Sequence, residues 1–105
     1  RDKRKRPKMG LIAAELSDLI IITTDNPRTE DPEKILVEIL NGVPPEKKTI
    51  VQVDREKAIQ TAISQASSSD LVLIAGKGHE NYQIFGNQQV YFDDRKCAEK
   101  ALLIK

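Results

Sequence analysis

The sequence predicts an α/β fold, a mostly parallel sheet covered by helices on both faces, and three observations lead there. Short apolar runs, "LIII" (Leu19 to Ile22), "TIVQV" (Thr49 to Val53) and "LVLIA" (Leu71 to Ala75), alternate with stretches of helical periodicity. The links between them are short, the pattern of strand–helix–strand units. The third run is apolar throughout, as a strand covered on both faces requires. At 105 residues the chain fits one domain, 1–105.

Each element has its own signal. "MGLIAAELSD" places Met9, Ile12, Ala13 and Leu16 at helical spacing ahead of the first strand. In "DPEKILVEILNG", Asp31 caps, Pro32 takes the first helical position and Glu33 suits the positive end of the dipole. Ile35, Leu36, Ile39, Leu40 and Val43 form the inward face, and Gly42 marks the stop. After the second strand, Asp54 caps a helix with Ala58, Ile59, Ala62, Ile63 and Ala66 on one side, ended by the serine run before Asp70. Beyond the third strand the chain is less regular, with a hairpin expected around Gly86-Asn87. Asp93 then caps a last helix whose inward side holds Cys97, Ala98, Ala101 and Leu102.

Composition narrows the function classes. No apolar run approaches the roughly 18 residues of a membrane span, and no signal-peptide core is present, which points to a soluble, cytoplasmic protein. The single Cys97 cannot form an internal disulfide and reads as a buried structural thiol. The net charge of +1 hides an asymmetry. "RDKRKRPK" holds six of the 17 basic residues and one of the 16 acidic ones, leaving 11 basic against 15 acidic elsewhere. Such an arm is a solvated end or a phosphate-binding segment. The chain starts at Arg1 without an initiator Met and is expected to be a piece of a longer protein.

In parallel sheets, ligands bind beyond the carboxyl ends of the strands. Two loops fall there, "TDNPR" after the first strand and "GKGHE" after the third. Arg28 offers a planar fork for a carboxylate or phosphate, Pro27 fixes the backbone ahead of it, and Asn26 is confined to an extended or turn conformation. Asp25 adds an acceptor; the plainer alternative is an Asx-type turn with a surface Arg. In the second loop, glycines around Lys77 permit positive φ or close backbone approach. The loop is neither a Walker A motif nor a dinucleotide fingerprint. His79 is the only histidine, so a His-based metal site has little support, and a structural or hydrogen-bonding role suits it better than general base. Together the loops suit a zwitterion, with Arg28 on a carboxylate and Glu80 with a glycine carbonyl on an ammonium. That suggests an amino acid rather than a nucleotide.

"RDKRKRPKMG", "TTDNPRTEDPEKI", "DREKAI" and "LIAGKGHENYQI", in this order and over nearly the whole chain, resemble the C-terminal domain of the Mur ligases of peptidoglycan biosynthesis. The resemblance implies a three-layer Rossmann-like domain that receives the amino acid, within a longer three-domain enzyme, its first strand lying upstream of Arg1. The implied activity is ATP-dependent addition of meso-diaminopimelate to UDP-N-acetylmuramoyl-L-alanyl-D-glutamate through an acyl phosphate. ATP and Mg2+ would be held mainly by another domain, and the fragment, which lacks a P-loop, would carry no catalytic residue and no metal and be inactive alone.

Residue by residue, the resemblance places Asn26 and Arg28, within Asp25, Asn26, Pro27 and Arg28, at the distal carboxylate of diaminopimelate. It places Gly76 and Glu80 near the distal ammonium. Arg1 corresponds to an arginine at a substrate carboxylate, with Asp2 and Lys3 near the nucleotide; Arg4 stands where the family usually has Gly. Lysine lacks the distal carboxylate, so diaminopimelate is expected over lysine. The alternatives are a lysine-adding relative, or a basic-arm module binding nucleic acid, though aromatic interleaving is sparse and no nucleic-acid motif is present. A monomer without membrane or specific nucleic-acid partners is expected.

Overall fold

The structure, a computed structural model, describes residues 3–105. A 3-10 turn at Lys3–Lys5 leads into α1 (Arg6–Leu16), then β1 (Ile20–Ile22), α2 (Pro32–Leu40), β2 (Thr49–Val51) and α3 (Arg55–Gln65). The hairpin strands β3 (Tyr82–Phe85) and β4 (Gln88–Tyr91) and the helix α4 (Asp94–Ile104) complete the order. β1 and β2 pair in parallel, Ile20 opposite Thr49 and Ile22 opposite Val51. β3 and β4 pair antiparallel around the Gly86-Asn87 turn, with Phe85 opposite Gln88.

Side chains set the helix starts as the sequence predicts. Asp31 accepts from the Glu33 amide, Asp54 from Lys57, and Asp93 from both Arg95 and Lys96, each satisfying donors that the first turn leaves free. Two apolar clusters form. Ala14, Ile20, Ile22, Leu36 and Val43 join α1 and α2 to β1, while Ile59, Ile63, Cys97 and Ala101 join α3 to α4. Cys97 is buried there, and burial pushes its thiol pKa up, which keeps it an inert thiol.

Three expectations are corrected. Residues 71–75 form no strand. Leu71 and Leu73 are almost fully exposed while Val72 and Ile74 are half-buried, Ile74 against the α3–α4 cluster. The alternation of a strand is present, but a strand exists only through a ladder, and no neighbour among the described residues supplies one. The inward face of α1 is also not the one the spacing suggested, because Arg6, Gly10 and Ala14 are buried whereas Met9, Ile12 and Leu16 are exposed. The reason is a close helix crossing: a Cβ on Gly10 would lie 2.1 Å from the Ile39 carbonyl oxygen, so only glycine lets α1 approach α2. In α4, Cys97 and Ala101 are buried as expected, but Leu102 faces solvent.

The basic arm is no solvated tail throughout. Arg6 is buried, and its fork donates to both oxygens of Glu30 (2.9 and 3.0 Å) and to Glu38 (2.6 Å). That pairing pulls the Glu30 carboxyl below its usual range, with the Arg6 hydrogen bond as the main cause.

Candidate functional site

The loop from Thr23 to Asp31 leaves the end of β1 and is clasped by the β3–β4 hairpin. Arg28 N–H donates to the Ile84 carbonyl at 3.0 Å, the Gly86 N–H donates back to the Arg28 carbonyl, and Arg28 and Phe85 form a parallel bridge. The Ile84 N–H donates to Asn26 Oδ1 at 2.9 Å, and Gln83 Nε2 donates to the carbonyls of Thr24 and Asp25. This clasp holds Arg28 at φ +57°, the left-handed region that costs a non-glycine residue about 1–2 kcal/mol. Such strain persists only where surrounding contacts over-determine it, and it concentrates at ligand sites.

The second loop, Gly76 to Asn81, lies beside the first. Gly76 (φ +113°) and Gly78 (φ +59°) use the conformations glycine permits, and a Cβ on Gly76 would stand 3.7 Å from Asp25 Oδ2. Asn26 Nδ2 donates to Glu80 Oε1 at 3.4 Å, and Tyr82 Oη donates to Glu80 Oε2 at 3.3 Å. Lys77 is buried; its ammonium is 3.2 Å from Asp25 Oδ1, donates to the Tyr82 carbonyl and sits 5.6 Å from the Tyr82 ring centroid. His79 is exposed and forms no hydrogen bond or ion pair among the described residues, so the structural role expected of it is not seen.

Both loops open onto a groove of about 770 Å³ between β1 and residues 73–76. Asp25, Asn26, Pro27, Arg28, Gly76 and Glu80 line one end, while Met9, Ile12, Leu16 and Leu73 give the rest an apolar wall. Arg28 Nε, Thr23 Oγ1 and Thr24 Oγ1 are buried there without a hydrogen-bond partner among the described residues. The end of the groove therefore carries a guanidinium with unused donor capacity and, across Asn26, a carboxylate. That arrangement suits a ligand with an anionic group at one point and a cationic one a few ångströms away. Arg1 and Asp2 lie outside the described residues. Lys3 is exposed and stands 3.9 Å from Glu30.

Arg55 does more than the sequence reading foresaw. Its buried guanidinium makes a paired contact with Asp94 (Nε 2.7 Å, Nη2 2.6 Å) and donates to the Thr24 and Ala75 carbonyls at 3.1 and 3.2 Å, tying the roots of both loops to α4. A signal was available. Arg55 opens α3 and Arg6 opens α1, at the end of a helix where the macrodipole disfavours a cation. A local rule broken in this way marks a tertiary partner.

The family model described as "Mur ligase, glutamate ligase domain" matches residues 1–78. The chain belongs to the Mur ligase family. Its similarity to two relatives, both named UDP-N-acetylmuramoyl-L-alanyl-D-glutamate–2,6-diaminopimelate ligase, is high: 58% identity to the one from Synechococcus sp. (strain WH7803) and 61% to the one from Trichormus variabilis (strain ATCC 29413 / PCC 7937), each over 97% of this chain. A solved structure of the enzyme of that name superposes with a TM-score of 0.93 at 40% identity, over 99% of this chain and 22% of that one. The present chain spans about a fifth of the length of the curated relatives it matches. Its likeness to that solved structure supports the α/β fold.

Proposed function

We propose that this Mur ligase chain is the amino-acid-receiving C-terminal domain of an ATP-dependent ligase that joins meso-diaminopimelate to UDP-N-acetylmuramoyl-L-alanyl-D-glutamate. The observation that carries the reading is the meeting of the two loops at one groove end, with Arg28 and Glu80 flanking the Asn26 amide. Arg28, oriented by its clasped backbone, takes the distal carboxylate, and Asn26 supports it. Glu80 and the Gly76 backbone take the distal ammonium, leaving the other amine free to form the amide bond as phosphate leaves the acyl phosphate of the dipeptide. Arg1, Asp2 and Lys3 keep their proposed places at a substrate carboxylate and near the nucleotide.

The residues of this chain do not fit Mg2+-ATP on their own. The sequence has no P-loop, and the described residues include no cluster of three metal-ligating side chains. The part of this domain is to bind, orient and exclude. Exclusion follows from charge. Lysine would leave Arg28 desolvated and unpaired, a penalty on the order of several kcal/mol.

Residues 1–105 are further proposed to form one domain of a longer three-domain enzyme, three-layered once a further strand is in place. The open groove supports this: β1 and residues 71–75 leave facing edges unpaired, and the apolar side of α1 lines the gap. A strand lying there would cover Leu73 and Leu16 and supply the ladder that residues 71–75 lack. The nucleic-acid alternative loses ground, because Arg6 is committed to Glu30 and Glu38.

The test is turnover by the full-length ligase with diaminopimelate and lysine offered separately. Diaminopimelate is expected to be preferred by as much as ~10⁴ in kcat/KM; equal use of lysine would overturn the reading.

A further inference from the structure

Lys77 lies inside the "GKGHE" loop, yet it does not line the groove that Gly76 and Glu80 line. Its side chain is fully buried and its ammonium points into the protein, where Asp25, the Tyr82 carbonyl and the Tyr82 ring surround it. A lysine so placed cannot touch a substrate in the groove. It can set where the substrate-facing groups stand, because each of its partners leads to one of them. Asp25 is covalently next to Asn26, and its own carbonyl is held by Gln83. Tyr82 donates from its hydroxyl to Glu80. One ammonium thus joins the carboxylate-reading loop to the ammonium-reading loop. Behind it, Arg55 fixes the roots of the same two loops through the Thr24 and Ala75 carbonyls.

We propose that Lys77 is a positioning residue that sets the spacing between Arg28 and Asn26 on one side and Glu80 on the other, and so tunes affinity for a zwitterion of fixed charge separation. Arg55 supports it from below. The proposal rests on the amino-acid-binding reading above. It is chemically reasonable because a buried ammonium is strongly desolvated, so its ion pair with Asp25 leaves little positional freedom on either side. The alternative role for this lysine, an outward-facing phosphate ligand, conflicts with its burial.

The experiment uses the full-length ligase and separate KM values for diaminopimelate, ATP and the UDP-dipeptide. Lys77→Met keeps the length of the side chain and removes the charge. It is expected to raise the KM for diaminopimelate about tenfold or more, by the order of effect of a small misplacement, with the other two KM values within about twofold of wild type. Lys77→Arg keeps the charge on a bulkier fork and should fall between wild type and Lys77→Met; it also carries the test if Lys77→Met does not fold. A purely structural role predicts a lower melting temperature and less active enzyme with all three KM values unchanged. That result, or all three KM values moving together, overturns the proposal. Arg28→Ala is measured alongside. If it leaves the KM for diaminopimelate unchanged, the site reading itself falls; if it raises that KM and the Lys77 variants do not, only the positioning role falls.

Discussion

Asn26 and Glu80, 54 residues apart in sequence, meet through their side chains, with the Asn26 amide donating to a Glu80 carboxylate oxygen at 3.4 Å. Asn26 is bonded on its other side as well, its Oδ1 accepting the Ile84 N–H at 2.9 Å. The amide therefore acts as a two-ended connector, and only a group with one acceptor and one donor satisfies both ends.

Asn26→Asp keeps the acceptor and replaces the donor with a second negative charge beside Glu80. Because both groups are partly exposed, repulsion should cost about 1–2 kcal/mol rather than the larger value of a dry interior. The variant is expected to unfold at lower denaturant at pH 7 and to regain stability as acid protonates one member of the pair. Adding Glu80→Gln should restore most of the loss at neutral pH; a double variant no more stable than Asn26→Asp would show that the two side chains do not couple.

Much of this geometry was legible in the sequence, and the illegible part has a common cause. Asp31, Asp54 and Asp93 announced their helices because a cap acts within a few residues of itself. The Gly86-Asn87 turn did the same for the hairpin. That "DNPR" and "GKGHE" would lie together followed from strand alternation, and Asn26 does meet Glu80, although the strand expected at 71–75 is absent among the described residues. What alternation could not supply was the partner of residues 71–75, since a strand's ladder belongs to its neighbours. Nor could it show that Arg6, Lys77 and Arg55 turn inward, because the carboxylates that receive them, Glu38, Asp25 and Asp94, lie far along the chain. The exposed apolar side of α1 misled for the same reason: periodicity says which residues share a face, not which face meets α2.

Arg28 should show a trade between stability and selectivity. At φ +57°, glycine is relieved of a strain of about 1 kcal/mol that alanine retains. Arg28→Gly is therefore expected to be more stable than Arg28→Ala by about that amount in urea denaturation, while both raise the KM for diaminopimelate in the full-length ligase. An alanine variant as stable as the glycine one would mean that the loop relaxes out of the left-handed region.

The Arg6–Glu30 pair makes a prediction about acid. The Glu30 carboxyl is held below its ordinary value, chiefly by the Arg6 hydrogen bond, so the folded state binds that proton more weakly than the unfolded chain does. Its stabilising contribution is complete above the unfolded value, near 4.3, and is lost as pH falls through the lower folded value. Comparing wild type with Glu30→Gln in urea from pH 7 to pH 3, the difference in stability should shrink toward the acid end. A difference that is flat across this range would mean that Arg6 is held by Glu38 alone.

The crossing of α1 over α2 sets two effects against each other at Gly10. Alanine inside a helix is favoured over glycine by about 0.8–1.0 kcal/mol, so propensity alone predicts that Gly10→Ala stabilises. The added methyl, however, would fall 2.1 Å from the Ile39 carbonyl oxygen and 3.1 Å from Val43 Cγ2. Backbone cannot turn aside as a flexible side chain can, so α1 must lift away from α2 as a unit. Overpacking of this kind costs typically 1–3 kcal/mol, and lifting α1 would also loosen Arg6 from Glu38, which α2 carries. The packing cost exceeds the propensity gain, and Gly10→Ala is expected to destabilise by about 1–2 kcal/mol, read as a lower urea midpoint with the slope unchanged. A stabilised Gly10→Ala would show that the two helices cross with more room than this contact gives them.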